Sequence, residues 1–160
     1  MFREMRRKKQ SLSAAETIEI LKTGTSGVLG VSGDDGYPYT VPLSYVYQDG
    51  KLFFHCAQEG HKIDAIRRND KVSFCVIHQD KIIPEKFTTH YRSAIAFGKA
   101  RILTDEAEKR RALESLVAKY SPDYPVEGQQ EIERDLHHTC LIEVKIEHLT
   151  GKAAKEIVKG

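Results

Sequence analysis

The chain has 160 residues, 40% of them hydrophobic and 30% charged, which predicts one domain over residues 1–160 that buries about two-thirds of its unfolded surface. A formal net charge of +2 is too small to point to nucleic acid, no apolar run has the length of a membrane-crossing helix, and nothing at the start resembles a signal peptide. Three cysteines, Cys56, Cys75 and Cys140, lie inside apolar runs without framework spacing, as expected of reduced, buried thiols in a cytoplasmic protein.

The basic cluster Arg3, Arg6, Arg7, Lys8 and Lys9 lacks interleaved aromatic residues and reads as a solvated or locally paired arm rather than a nucleic-acid or membrane arm. Ser13 and Glu16 have capping-box spacing, Ile18 and Leu21 follow at helical spacing, and Gly24 stops the run. A short helix over 14–22 is expected, closing one end of a sheet or barrel. The period then changes to two. Val28, Leu29 and Val31 predict a strand, residues 33–36 a turn, and residues 37–47 a second strand that pairs with the first. Pro38 and Pro42 cannot donate to a ladder, so this strand should have a free edge or a bulge, leaving main-chain groups available.

After a tight turn at Asp49 and Gly50, residues 51–57 read as a strand, 58–60 as a turn, 61–68 as a helix and 71–76 as another strand. A helix start carries about half a positive charge, so His61 and Lys62 in the first turn are disfavoured unless an anion sits there. Gly60 lets the backbone come close, and with Lys62 and His61 above it the turn has the parts of a phosphate cradle. The alternative is a plain surface helix that begins with cations.

Residues 78–90 read as a polar, irregular loop with Pro84 and an exposed pair, Ile82 and Ile83. Strand character returns over 92–103, with Gly98 permitting a bend. Asp105 caps a helix that runs to Tyr120, residues 131–138 form a short helix, residues 139–147 a closing strand, and the tail after Thr150 is expected to fray. The result is a mainly β fold with peripheral helices: six antiparallel strands in a small barrel, not a doubly wound parallel sheet.

A capped helix, then GVLGVSGDDGYPYTVPLSYVYQDGKLFFHCAQEGHKIDAIRRNDKVSFCV, then a strand ending in AFGKARIL, resembles the FMN-binding split-barrel superfamily of pyridoxamine 5'-phosphate oxidases. Within it the chain looks like the nitroimidazole-resistance branch, over about residues 10–147. The resemblance implies a six-stranded antiparallel split β-barrel working as a homodimer, with FMN at the interface. It puts the phosphate on His61 and Lys62, with Cys56 and Gln58 beside them, and the flavin ring on Pro42, Leu43, Ser44 and Tyr45. Arg92 and Ser93 correspond to the wall that comes from the partner subunit. The implied activity is an FMN-dependent oxidoreductase that reduces small molecules, nitroaromatic ones among them, with NADH or NADPH. The C-terminal Arg–His motif by which pyridoxamine phosphate oxidases hold their substrate is missing, so that activity is not expected.

Seven histidines invite a metal reading, but there is no His-x-His, His-Glu-x-x-His or Cys-x-x-Cys, and no metal site is expected. Some split-barrel relatives bind haem, and His90 or His148 could be its axial ligand. A nucleophile pair of Cys56 with His55 or His61 stands against simple packing of Cys56 in its strand. No residue has the placement of a general acid or base, which suits hydride transfer through a flavin; His55, Tyr91 and Tyr45 are candidates for touching a substrate over the ring. The same lack leaves open a non-enzymatic flavin- or haem-binding protein of this fold.

Overall fold

The computed structural model describes residues 1–158, built around one seven-stranded antiparallel sheet in the order β2-β1-β5-β6-β7-β4-β3. The strands are β1 (Gly27–Ser32), β2 (Pro38–Leu43), β3 (Val46–Gln48), β4 (Lys51–Cys56), β5 (Lys71–Ile83), β6 (Thr88–Ile102) and β7 (Cys140–Ala153). Around them lie α1 (Ala14–Thr23), α2 (His61–Arg68), α3 (Glu106–Tyr120), α4 (Pro125–Asp135) and α5 (Lys155–Val158). The seventh strand arises because the run expected as one strand over 37–47 is two, interrupted at Ser44 and Tyr45. Those two residues join the opposite edges of the sheet. The sheet therefore curls until β2 and β3 meet at this corner, and among the described residues no ladder joins them, which makes the barrel split.

The break has a packing cause. Tyr45 is fully buried, its ring 4.9 Å from that of Phe74, which in turn lies 5.0 Å from Phe54, and its hydroxyl donates to the Leu21 carbonyl at 2.7 Å. A side chain turned this far into the core pulls the strand off its line. Leu29, Val31, Leu52, Val76, Ala94, Ala96, Ile142 and Val144 complete the interior. Helix α1 closes one end with Ile20 and Leu21, and its predicted capping box is formed: the Glu16 N–H donates to Ser13 Oγ and the Ser13 N–H to Glu16 Oε2. Helix α3 covers the outside of β3 and β4, where Leu116, Ala112, Leu141 and Phe53 make a second apolar cluster.

The prolines behave as expected: β2, which carries Pro38 and Pro42, is an edge strand. Gly98 lies at a bulge between β6 and β7, where an added Cβ would come 2.2 Å from the Lys145 carbonyl oxygen. The expected loop over 78–90 is instead the end of a long hairpin, paired from Lys71–Lys99 to Ile83–Thr88. Its residues beyond Val76 reach water on both faces, so no apolar alternation marks them as strand. As far as Val158 the tail is not frayed either, because β7 continues to Ala153 against β6, and Ala153 and Ala154 are buried before α5; Lys159 and Gly160 lie outside the described residues. Helix α4 begins at Pro125, six residues ahead of the expected start at Glu131. In the N-terminal arm, Lys8 pairs with Glu4 at 2.6 Å.

Candidate functional site

Helix α2 starts where the sequence places it. Its N-cap, Gly60, has φ +144 and offers no side chain to the first turn, so the N–H groups there have no capping partner of that kind. An added Cβ at Gly60 would meet nothing within 4 Å, so its side toward solvent is open. Lys62, one residue into the helix, is half-buried. The opposite end of the helix is fixed, since Arg68 donates to Asp34 Oδ1 at 2.8 Å in the turn between β1 and β2.

His61 leans toward the same turn. Its ring stacks on Tyr39 of β2 with centroids 4.0 Å apart, and its Nε2 is buried without a hydrogen-bond partner, 3.8 Å from Asp34 Oδ2. The stack brings the start of α2 against the free edge strand, so the two pieces singled out in the sequence, the Gly60–Lys62 turn and the proline-marked strand, are neighbours. Tyr39 and Asp34 were not singled out by sequence reasoning; a Tyr in a strand and an Asp in a turn carry no signal until the helix is folded beside them.

The ring-facing candidates divide. Pro42 and Ser44 are exposed at the free edge and the corner, and Leu43 is half-buried between them. Tyr45 stands apart from these three. It is 0% exposed, its N–H donates to Tyr120 Oη at 2.8 Å and its carbonyl accepts from Lys119 Nζ at 2.9 Å, so both its side chain and its main chain are engaged inside the protein. Burial also pushes the Tyr45 phenol up, with Tyr120 adding to the effect.

Strand alternation separates His55 from Cys56. Cys56 faces with Leu52 and Phe54 and lies directly opposite Cys140 of β7. His55 faces the other way, into a cleft of about 390 Å³ under α3 and α4 that it shares with Ser44, Tyr120, Glu131 and Asp135. A Cys56–His55 nucleophile pair is therefore not formed. Gln58 donates from Nε2 to the His137 carbonyl at 2.9 Å, which ties the turn after β4 to the segment that enters β7.

Arg92 and Ser93 also point apart. Ser93 shares a face with Ile95 and Phe97, the exposed outer face of the sheet. Arg92 faces back toward the start of α1, where it adds to the effect of the Ser13 N–H and hydroxyl in holding the Glu16 carboxyl low, and its own Nε is enclosed without a partner. Tyr91 donates to Gln10 Oε1 at 3.3 Å, covering the N-terminal segment. His148 stacks on Phe2 with centroids 4.9 Å apart; its Nε2 and that of His90 are buried without hydrogen-bond partners.

An uncapped helix start, an adjacent lysine and an orphaned imidazole nitrogen suit a phosphate, and an edge strand beside them suits a flat ring with a polar rim. Residues 13–153 match the family described as pyridoxamine 5'-phosphate oxidase. No match was found among curated proteins. Among solved structures, a FAD-binding protein from Mesorhizobium loti is 26% identical, with TM-score 0.65 over 91% of this chain and 97% of that one. A candidate 5-nitroimidazole antibiotic resistance protein from Bacteroides thetaiotaomicron is 24% identical, with TM-score 0.75 over 89% and 86%. The flavocytochrome from Azotobacter vinelandii is 19% identical, with TM-score 0.78 over 94% and 72%.

Proposed function

The chain belongs to the pyridoxamine 5'-phosphate oxidase family, and from that footing we propose that it is an FMN-dependent oxidoreductase of small molecules, of the nitroimidazole-resistance type. The observation that carries this reading is the stack of His61 on Tyr39, which sets the open start of α2 beside the free edge of β2. Lys62 and the first N–H groups of α2 would hold the phosphate by charge-assisted hydrogen bonds, and His61 Nε2 is the further polar atom without a partner. Pro42, Leu43 and Ser44 would orient the ring along the edge strand. When bound, FMN supplies the electron-carrying chemistry, taken here from NADH or NADPH and passed to nitroaromatic or similar acceptors; the protein orients and shields.

The working unit in this reading is a cytoplasmic homodimer. Across the outer face of β1, β5 and β6, Val28 is 37% exposed, Ile95 39%, Phe97 38% and Ile77 65%, and register places Val28 beside Cys75 and Cys75 beside Ile95. A contiguous apolar strip on a soluble sheet favours a covering partner, and a second copy would bring its Ser93 to the first copy's edge. Among the described residues no helix is long and apolar enough to cross a membrane.

A second reading, a flavin- or haem-binding protein without turnover, is favoured by the unpartnered Nε2 atoms of His90 and His148, and by the likeness to a flavocytochrome and to a FAD and haem binding protein from Mycobacterium smegmatis. Absorbance of the purified protein, titration with FMN, FAD and haem, and rapid mixing of the flavin-loaded form with NADH or NADPH separate the two. Flavin uptake with reduction by a nicotinamide supports the oxidoreductase; haem uptake, or flavin that no nicotinamide reduces, supports the binder. A protein that takes up neither flavin refutes both flavin readings, and a monomer by light scattering refutes the dimer.

A further inference from the structure

We propose that Cys56 and Cys140 form a redox-active cross-strand thiol pair, which hydroperoxides oxidise to a disulfide joining the end of β4 to the start of β7. Cys56 is the last residue of β4 and Cys140 the first of β7, and the two are register partners. Directly opposed residues on antiparallel strands have Cα atoms about 4.5–5.5 Å apart, inside the span of about 4.4–6.8 Å that a disulfide bridges. They also share a face, with Leu52–Val144 and Phe54–Ile142 as the preceding pairs on that side. The bridge needs no shift of register. All three cysteines are free thiols, and Gln58 on His137 holds the two strand ends together from outside.

The surroundings favour chemistry over inert packing. The paired Cys56 thiol, and after it the charges of Lys109, Arg67 and Lys62, lower the Cys140 thiol against the effect of burial, while the same pairing and burial raise that of Cys56. In the proposed step Cys140, nearest these cations, is the attacking thiolate and Cys56 the resolving thiol. Its sulfur attacks one oxygen of the hydroperoxide, the O–O bond breaks, and the products are a sulfenic acid on Cys140 and hydroxide, which takes a solvent proton. The Cys56 sulfur then attacks the sulfenic sulfur, an S–S bond forms, and the hydroxyl leaves with the Cys56 proton as water. Both electrons lost by the thiol pair have gone to the peroxide. Cys75 stands apart, on the outer face of β5 between Val28 and Ile95, and serves as an internal control. Nothing in this inference depends on flavin.

The full chain, reduced and then exposed to limiting hydrogen peroxide, is alkylated under denaturing conditions and digested without reductant. Alkylatable thiols are expected to fall from three to one, with the Cys56 and Cys140 peptides joined, Cys75 alkylated, and dithiothreitol restoring all three. Three alkylated thiols after oxidation, or a link that includes Cys75, overturns the proposal. In Cys56→Ser the reaction should stop at a sulfenic acid on Cys140 that dimedone traps. Dimedone on no residue of that variant, after a link in the wild type, overturns the assignment of Cys140 as the attacking thiolate.

Discussion

The Lys119 ammonium lies 3.9 Å from the centroid of the Tyr45 ring and donates to the Tyr45 carbonyl at 2.9 Å. This contact pins the C-terminal turn of α3 to the corner where the barrel splits. Part of the charge is compensated by the ring face and the carbonyl, but burial of the ammonium outweighs them.

Burial lowers the Lys119 pKa from 10.5 to about 8. Between those values the unfolded chain binds the proton more tightly than the folded one, so stability should rise with pH across that window. Below pH 8 the penalty for charging Lys119 is fully present. Relative to Lys119→Met, the wild type should gain on the order of 1 kcal/mol from near pH 8 to near pH 10, less than the full shift because the side chain still reaches water. Urea unfolding of both proteins at the two pH values measures it; a difference that stays constant would mean that Lys119 keeps its ordinary pKa.

Tyr120 acts at the same corner. Its hydroxyl oxygen accepts from the Tyr45 N–H at 2.8 Å and lies 2.7 Å from the Thr25 carbonyl and 2.9 Å from that of Tyr45, to one of which it donates. Tyr120→Phe leaves a buried N–H with no acceptor, at a cost of about 1–3 kcal/mol. Phe keeps the ring packing, so the loss should appear as an earlier urea midpoint with an unchanged slope. A midpoint equal to wild type would show that water replaces the hydroxyl.

These contacts explain what sequence could and could not give. Helix α2, the capping box of α1 and the edge position of β2 are local in origin: a glycine, a Ser–x–x–Glu spacing and two prolines act within a few residues of themselves. The break at Tyr45 is set by Leu21, Phe74, Lys119 and Tyr120, which come from three distant places in the chain. Alternation of Tyr39, Val41, Leu43 and Tyr45 runs straight through it. The outer half of the β5–β6 hairpin failed for the opposite reason, having no buried face to write a period. At the site, the Gly60–Lys62 turn was legible from the conflict of its cations with the helix dipole. Cys140 was visible only as a strand residue, because nothing but register brings it opposite Cys56.

Glu143 shows how far a buried carboxylate can be sheltered by exposed partners. It is 6% exposed and accepts from Arg101 at 3.0 Å and Lys51 at 3.3 Å, while Arg101 reaches on to Glu108 at 2.6 Å. The Glu108 and Glu143 carboxylates together push the Arg101 guanidinium up. Glu143→Gln keeps the shape and removes the charge, and both cations can turn to water, so the expected loss is about 1–2 kcal/mol rather than that of a stranded buried charge. A double-mutant cycle with Arg101→Met should return a coupling of about 1 kcal/mol; a coupling near zero would assign the cost to Lys51.

The start of α2 offers Lys62 and His61 to an anion, and their surroundings rank them. His61 has Asp34 Oδ2 at 3.8 Å and Tyr39 against its ring, so part of its capacity is already engaged by the turn between β1 and β2. Lys62 stands at the open, uncapped end of the helix. Lys62→Ala should therefore weaken FMN binding by about 1.5–3 kcal/mol, roughly ten- to a hundredfold in Kd, and His61→Gln by less. Fluorescence quenching of FMN on titration with each variant reads both, and the loss at Lys62 should shrink when riboflavin, which has no phosphate, replaces FMN. Equal weakening of FMN and riboflavin would take Lys62 away from the phosphate and put it on the ring; unchanged affinity for both would remove it from the site.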